Sequence, residues 1–213
     1  LRYEVSKVSL LQKCFHKQFY NIISGLIGGT SKLPDCAGFN ALDGKIVGIL
    51  GPARIHEQTE LNCDVLVTTN YALQRFVEKN KFHVTYYNSR RIRDFRCSVE
   101  EAIAQLDVVC FKTKNDLEAL KKFRRPNTCF RLLSSASSLL LSRTGPNAIQ
   151  NIIVDLLLNA NPAAITLAGI TAYLSQEAYQ PGYWDDHNKE TVAVSLRWHD
   201  PLSNFALLKF LIW

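Results

Sequence analysis

The sequence predicts an α/β fold, a single domain in which a mainly parallel sheet is flanked by helices. Three observations carry this. Short apolar runs rich in β-branched residues, bounded by turn or polar residues, recur at 45–50, 64–69, 82–87 and 107–112, and such runs favour strand over helix. Helix-patterned segments lie between them, the alternation that a parallel layer fold requires. The stretch 43–70 holds two of the strands, joined by a mostly polar segment. It reads as the opening of an open α/β sheet, in which ligands sit at the carboxyl ends of the strands.

Taken in order, residues 1–24 place Val5, Val8, Leu11, Phe15, Phe19 and Ile22 at helical spacing, which predicts an amphipathic helix with one packed face. Residues 25–44, with several glycines and Pro34, read as a loop. Residues 1–40 are thus expected to be a helix-and-loop extension, and 41–213 the main domain. The strand KIVGIL at 45–50 runs into the turn Gly51-Pro52, and DVLVTT at 64–69 ends at Asn70. A short helix is expected at 71–79. FHVTYY at 82–87 alternates, is rich in aromatic and β-branched residues, and ends at Asn88. SVEEAIAQ at 98–105 carries a helix-start pattern, a serine followed by acids. DVVCFK at 107–112 predicts a strand, 115–123 a helix and 130–133 a short strand. Pro146 opens a helix whose apolar face is Ile149, Ile152, Ile153, Leu156 and Leu157, and which Asn159–Pro162 stops. A strand follows at 165–168, ending at Gly169. The last helix is expected over 201–211, with Asp200 as its cap.

Composition sets limits. With 47% hydrophobic and 21% charged residues the chain is an ordinary globular one rather than a disordered one. A net charge of +6 and a pI near 9.0 suit an anionic ligand, a nucleic acid or an acidic membrane surface. The charge concentrates in Arg90, Arg91 and Arg93 and in Lys121, Lys122, Arg124 and Arg125, and each run alone is best read as a solvated face. Cys14, Cys36, Cys63, Cys97, Cys110 and Cys129 show no zinc or redox spacing, so they read as reduced, mostly buried thiols of a cytosolic protein. No uninterrupted apolar run reaches the roughly 18 residues of a membrane span, and the first residues do not read as a signal peptide. The chain contains no methionine, as expected of a fragment or of a chain from which methionine or loop residues have dropped out. Local motifs therefore weigh more than long spacings.

Several residues could carry chemistry. Gly48 and Gly51, with Pro52, form a strand-to-turn motif whose backbone could approach a phosphate. It is neither a dinucleotide fingerprint nor a phosphate-binding P-loop, and structural turn glycines are at least as common. Asn70 and Asn88 follow strands and offer both a donor and an acceptor to a base edge or ribose, although asparagine at such places is more often a turn residue. His199 stands just before a helix among polar and aromatic groups. An imidazole there can take a proton from a hydroxyl at neutral pH, unless it is a surface or capping histidine. Tyr173 and Tyr179 could donate to a leaving phosphate or fill core space. The sequence has no clear Asp-x-Asp pair of the kind that holds a metal on a sugar nucleotide, Asp185-Asp186 reading as a loop pair without an assigned role, so no metal site is expected.

The order of the motifs GILGPAR, DVLVTTNY, TYYN, RTG, TLAGITAY and HDPLSNFALLKFL resembles that of the bacterial sialyltransferases that use CMP-sialic acid. The likeness runs from about residue 45 to 211. It implies a Rossmann-like domain, a sialyltransferase-like variant of the GT-A glycosyltransferase scaffold. The implied reaction is inverting and metal-independent and requires no cofactor beyond the CMP-sugar donor. By position, Gly51 and Pro52 would lie against the nucleotide, Asn70 and Asn88 would contact cytidine or the donor, and Thr144, Gly145 and Gly169 would line the donor site. Tyr173 and Tyr179 would support the leaving phosphate, and His199 would be the general base. The sequence departs from the family at Leu50, Ala53 and Thr171, where the family usually has Asn, Ser and Asp, which leaves open a CMP-Kdo-using relative or another nucleotide-sugar enzyme on this scaffold. The implied partners are the CMP-activated sugar and a glycan or glycolipid acceptor, with peripheral contact at the inner face of a bacterial membrane, no nucleic acid, and a homo-oligomer left open. Two other classes stay in view: a nucleotide-binding or pyrophosphokinase-like protein on the same scaffold, and a basic nucleic-acid-binding domain.

Overall fold

A computed structural model describes residues 3–5, 37–51, 61–69, 82–87, 99–111, 113–132 and 148–170. The strands are β1 (Tyr3–Val5), β2 (Ile46–Leu50), β3 (Val65–Thr69), β4 (Phe82–Tyr87), β5 (Val108–Phe111), β6 (Cys129–Leu132) and β7 (Ala164–Ala168). The helices are α1 (Ala37–Asn40), α2 (Val99–Ile103), α3 (Lys114–Leu120) and α4 (Ala148–Asn159), and a 3-10 turn, Lys121–Phe123, continues α3. Each strand predicted from an apolar run forms, within a residue or so at its ends. The predicted helices at 71–79 and 201–211 lie outside the described residues.

One seven-stranded sheet has the order β1-β7-β2-β3-β4-β5-β6. The six strands from β7 to β6 are parallel, and β1 pairs antiparallel with β7. The fold is therefore α/β with a mainly parallel sheet. From β2 to β6 the chain steps across the sheet in sequence; it then returns through α4 to the other side of β2. Right-handed crossovers put the helices of the outward and return runs on opposite faces. Accordingly, Ile103, Leu106 and Leu120 pack with Val109, Phe111 and Phe130 on one face. Ile152, Ile153 and Leu156 of α4 pack with Val47, Val67, Val84 and Leu167 on the other. Strand residues alternate between these faces, as the period of two requires.

Local chemistry sets where the ladders begin. Asp64 and Asp107 each precede a strand, and each carboxylate accepts a backbone N–H of the neighbouring strand: Ile46 at 2.9 Å and His83 at 2.8 Å. An aspartate before a β-branched run thus fixes the register at the amino edge of the sheet. Thr113 caps α3, its hydroxyl accepting from the Asp116 N–H at 3.2 Å, which satisfies one of the first-turn donors.

Three expectations change. Tyr3–Val5 is a strand rather than the start of a helix. Its aromatic and β-branched residues suit a pleated edge, and pairing of Tyr3 with Leu167 and Val5 with Ile165 overrides the helical spacing there. The rest of 1–24 lies outside the described residues. Within the expected loop 25–44, Ala37–Asn40 is a short helix because Phe39 and Leu42 are buried against the core. Cys63 and Cys110 are buried thiols, as expected, but Cys129 is disulfide-bonded. A disulfide depends on which cysteine faces it in space, and sequence spacing does not give that.

Candidate functional site

The strand order reverses between β2 and β7. In open α/β sheets that is where a crevice forms outside the carboxyl ends of the strands. Here those ends are Leu50-Gly51 and Ala168-Gly169. The Gly51 N–H donates to the Ala168 carbonyl at 2.8 Å, holding the two ends together as they leave the sheet. A Cβ on Gly51 would lie 2.4 Å from the Gly169 carbonyl oxygen and 2.7 Å from Ile170 Cγ1, so only glycine fits. Gly169 itself has φ +64°, a left-handed conformation that costs other residues roughly 1–2 kcal/mol. Two glycines far apart in sequence thus meet at one point because the backbone there is both crowded and sharply turned.

Further along the same edge the sheet carries buried hydroxyls. Thr68 and Thr85 sit opposite each other on β3 and β4 with their oxygens 2.5 Å apart. Thr69, the last residue of β3, is also buried, on the other face of the sheet. Sequence reading passed over these threonines because threonine is an ordinary strand residue; their clustering appears only once β3 and β4 are paired.

Gly48 has a different setting. It lies inside β2, opposite Leu66 and Thr166, and a Cβ there would come within 2.7 Å of Cys63 Sγ. The side chains of Cys63 and Leu61 fill the space, so glycine at this position serves packing beneath the edge. Of the residues expected at a donor site, Gly51 and Gly169 come together and Gly48 lies below them. Pro52, Asn70, Asn88, Thr144, Gly145, Tyr173, Tyr179 and His199 lie outside the described residues.

On the opposite face, sequence reading missed a buried ion pair. Arg131 of β6 and Asp155 of α4 are 3% and 1% exposed. The guanidinium is bidentate: Nη1 donates to Asp155 Oδ2, and Nη2 donates to Oδ1 at 2.7 Å. Asn159 Nδ2 donates to the same Oδ1 at 2.8 Å, and the guanidinium carbon lies 4.0 Å from the centre of the Phe39 ring. Register puts Arg131 in one row with Cys110, Tyr86 and Thr69. The pair fixes α4 to the far edge of the sheet. The available signal was a lone charge in each of two apolar runs, CFRL and IIVDLLL.

Among the described residues no helix is long and apolar enough to cross a membrane. Compared with protein-family models, curated proteins and solved structures, the chain matches none.

Proposed function

We propose that the protein is a glycosyltransferase that moves sialic acid, or a related 2-keto sugar acid, from a CMP-sugar to a hydroxyl of a glycan or glycolipid. The observation that carries this reading is the meeting of Gly51 and Gly169 where the strand order reverses. Their close packing holds the ends of β2 and β7 together at the point where an open α/β sheet forms its ligand crevice. The motif order of the sequence supplies the rest. Asn70 follows the last residue of β3 and Asn88 the last residue of β4, so two amide side chains follow strands whose carboxyl ends share this edge.

In the proposed reaction the bond from the tertiary anomeric carbon to the phosphate oxygen breaks, and its electron pair leaves with CMP. The acceptor oxygen bonds to that carbon from the opposite side and gives its proton to the His199 imidazole. Negative charge grows on the phosphate, where the hydroxyls of Tyr173 and Tyr179 would stabilise it.

The test is a screen of mixed CMP-sugars, read by mass spectrometry, with UDP- and GDP-sugars alongside. The expected result is consumption of CMP-sialic acid or CMP-Kdo with release of CMP, and no consumption of the others. If no CMP-sugar is consumed and ATP or GTP binds with Mg²⁺, the reading fails in favour of a nucleotide-binding protein on this scaffold.

A further inference from the structure

The turn after α3 holds a rigid, exposed cluster of cations. α3 follows β5 and leads to β6, and these strands are parallel, so the turn lies at the amino edge of the sheet, opposite the end that carries Gly51 and Gly169. Lys121, Lys122, Arg124 and Arg125 are all exposed. Within 117–128 the single acid is Glu118, which pairs with Lys121 at 3.6 Å on the surface.

The backbone beneath is pinned. Arg124 N–H donates to the Lys121 carbonyl at 3.1 Å, and Thr128 N–H to the Arg125 carbonyl at 3.1 Å. The Thr128 hydroxyl donates to the Leu106 carbonyl at 3.1 Å. Leu120 and Phe123 anchor the turn in the core. The cations therefore stand on a pinned turn rather than on a loose tail, and less entropy is lost when they bind.

We propose that this turn docks the protein on a membrane surface bearing anionic lipid headgroups. Clusters of four or more Lys and Arg are attracted to such a surface, and Lys121, Lys122, Arg124 and Arg125 are exposed together on this one turn. A nucleic acid fits less well. Single strands are held by aromatic faces on which bases stack, and the one aromatic of the run, Phe123, packs into the core with the Lys122 ammonium 4.9 Å from its ring centre. Docking here leaves the carboxyl edge of the sheet pointing away from the bilayer. The inference does not rest on the donor reading.

The test is co-sedimentation of the full chain with phosphatidylcholine vesicles, with and without phosphatidylglycerol, beside a duplex oligonucleotide. The wild type should partition onto the anionic vesicles alone, and less so as salt is raised. Neutralising three cations (Lys122→Gln, Arg124→Gln, Arg125→Gln) should weaken partitioning by roughly 100-fold, about fivefold for each. The melting temperature should hold. Should the triple variant fold poorly, Lys122→Gln and Arg125→Gln singly should each show the fivefold loss. Equal partition onto neutral vesicles, undiminished partition of the variants, or preference for the duplex at equal phosphate would overturn the proposal.

Discussion

Replacing Arg131 with leucine is expected to destabilise the fold by about 3–5 kcal/mol, because it leaves the Asp155 carboxylate buried without its cation. Removing one member of a buried pair is costly, whereas removing both is not. The double variant Arg131→Leu, Asp155→Leu should therefore recover most of the loss. The guanidinium makes two hydrogen bonds to the carboxylate and lies over Phe39. Lysine at 131 cannot reproduce the fork and should recover only part of the stability. Urea unfolding of the three variants measures this. A single variant as stable as the wild type would mean that water reaches the pair when its cation is removed.

Replacing His199 with alanine is expected to reduce sugar transfer by about 10²–10⁴-fold, the contribution ordinarily made by a positioned general base. CMP binding should hardly change, since the proposed role of His199 is on the acceptor side. Turnover and the thermal shift with CMP, measured on the same sample, separate the two effects. Unchanged turnover removes His199 from the mechanism; loss of both turnover and CMP response makes it a structural or donor-side residue.

Much of the fold was legible in the sequence, for a local reason. Val, Ile and Thr in runs of four to six residues, set off by Asp, Asn or Gly, define five of the six parallel strands almost to the residue; β6, CFRL, contains none of the three. The place of β7 beside β2 was not legible. Which strands pair across a long crossover depends on tertiary packing, here of α4 over the sheet, and no local run encodes it. The first strand was misread because the apolar spacing of 1–24 is helical, while Tyr3–Val5 responds to the open edge of β7. At the candidate site, Gly51 and Gly169 stood out because each ends a strand. Their contact was hidden by a sequence separation of 118 positions. Gly48 looked like part of the same motif, yet its partner is Cys63, and such steric pairing has no signature in a single sequence. Arg131 and Asp155 are the reverse case. Each was visible as an isolated charge in an apolar run, and a search for two such charges of opposite sign would have paired them.

The central claim is that a cytidine nucleotide lies across the carboxyl ends of β2 and β7. Hydrogen exchange of backbone amides with and without CMP tests it most directly. The account predicts slowed exchange around Gly51 and at Gly169–Ile170, with no change at the amino-edge turn Arg124–Thr128. Protection confined to that basic turn, or no response to CMP anywhere in the chain, would contradict it.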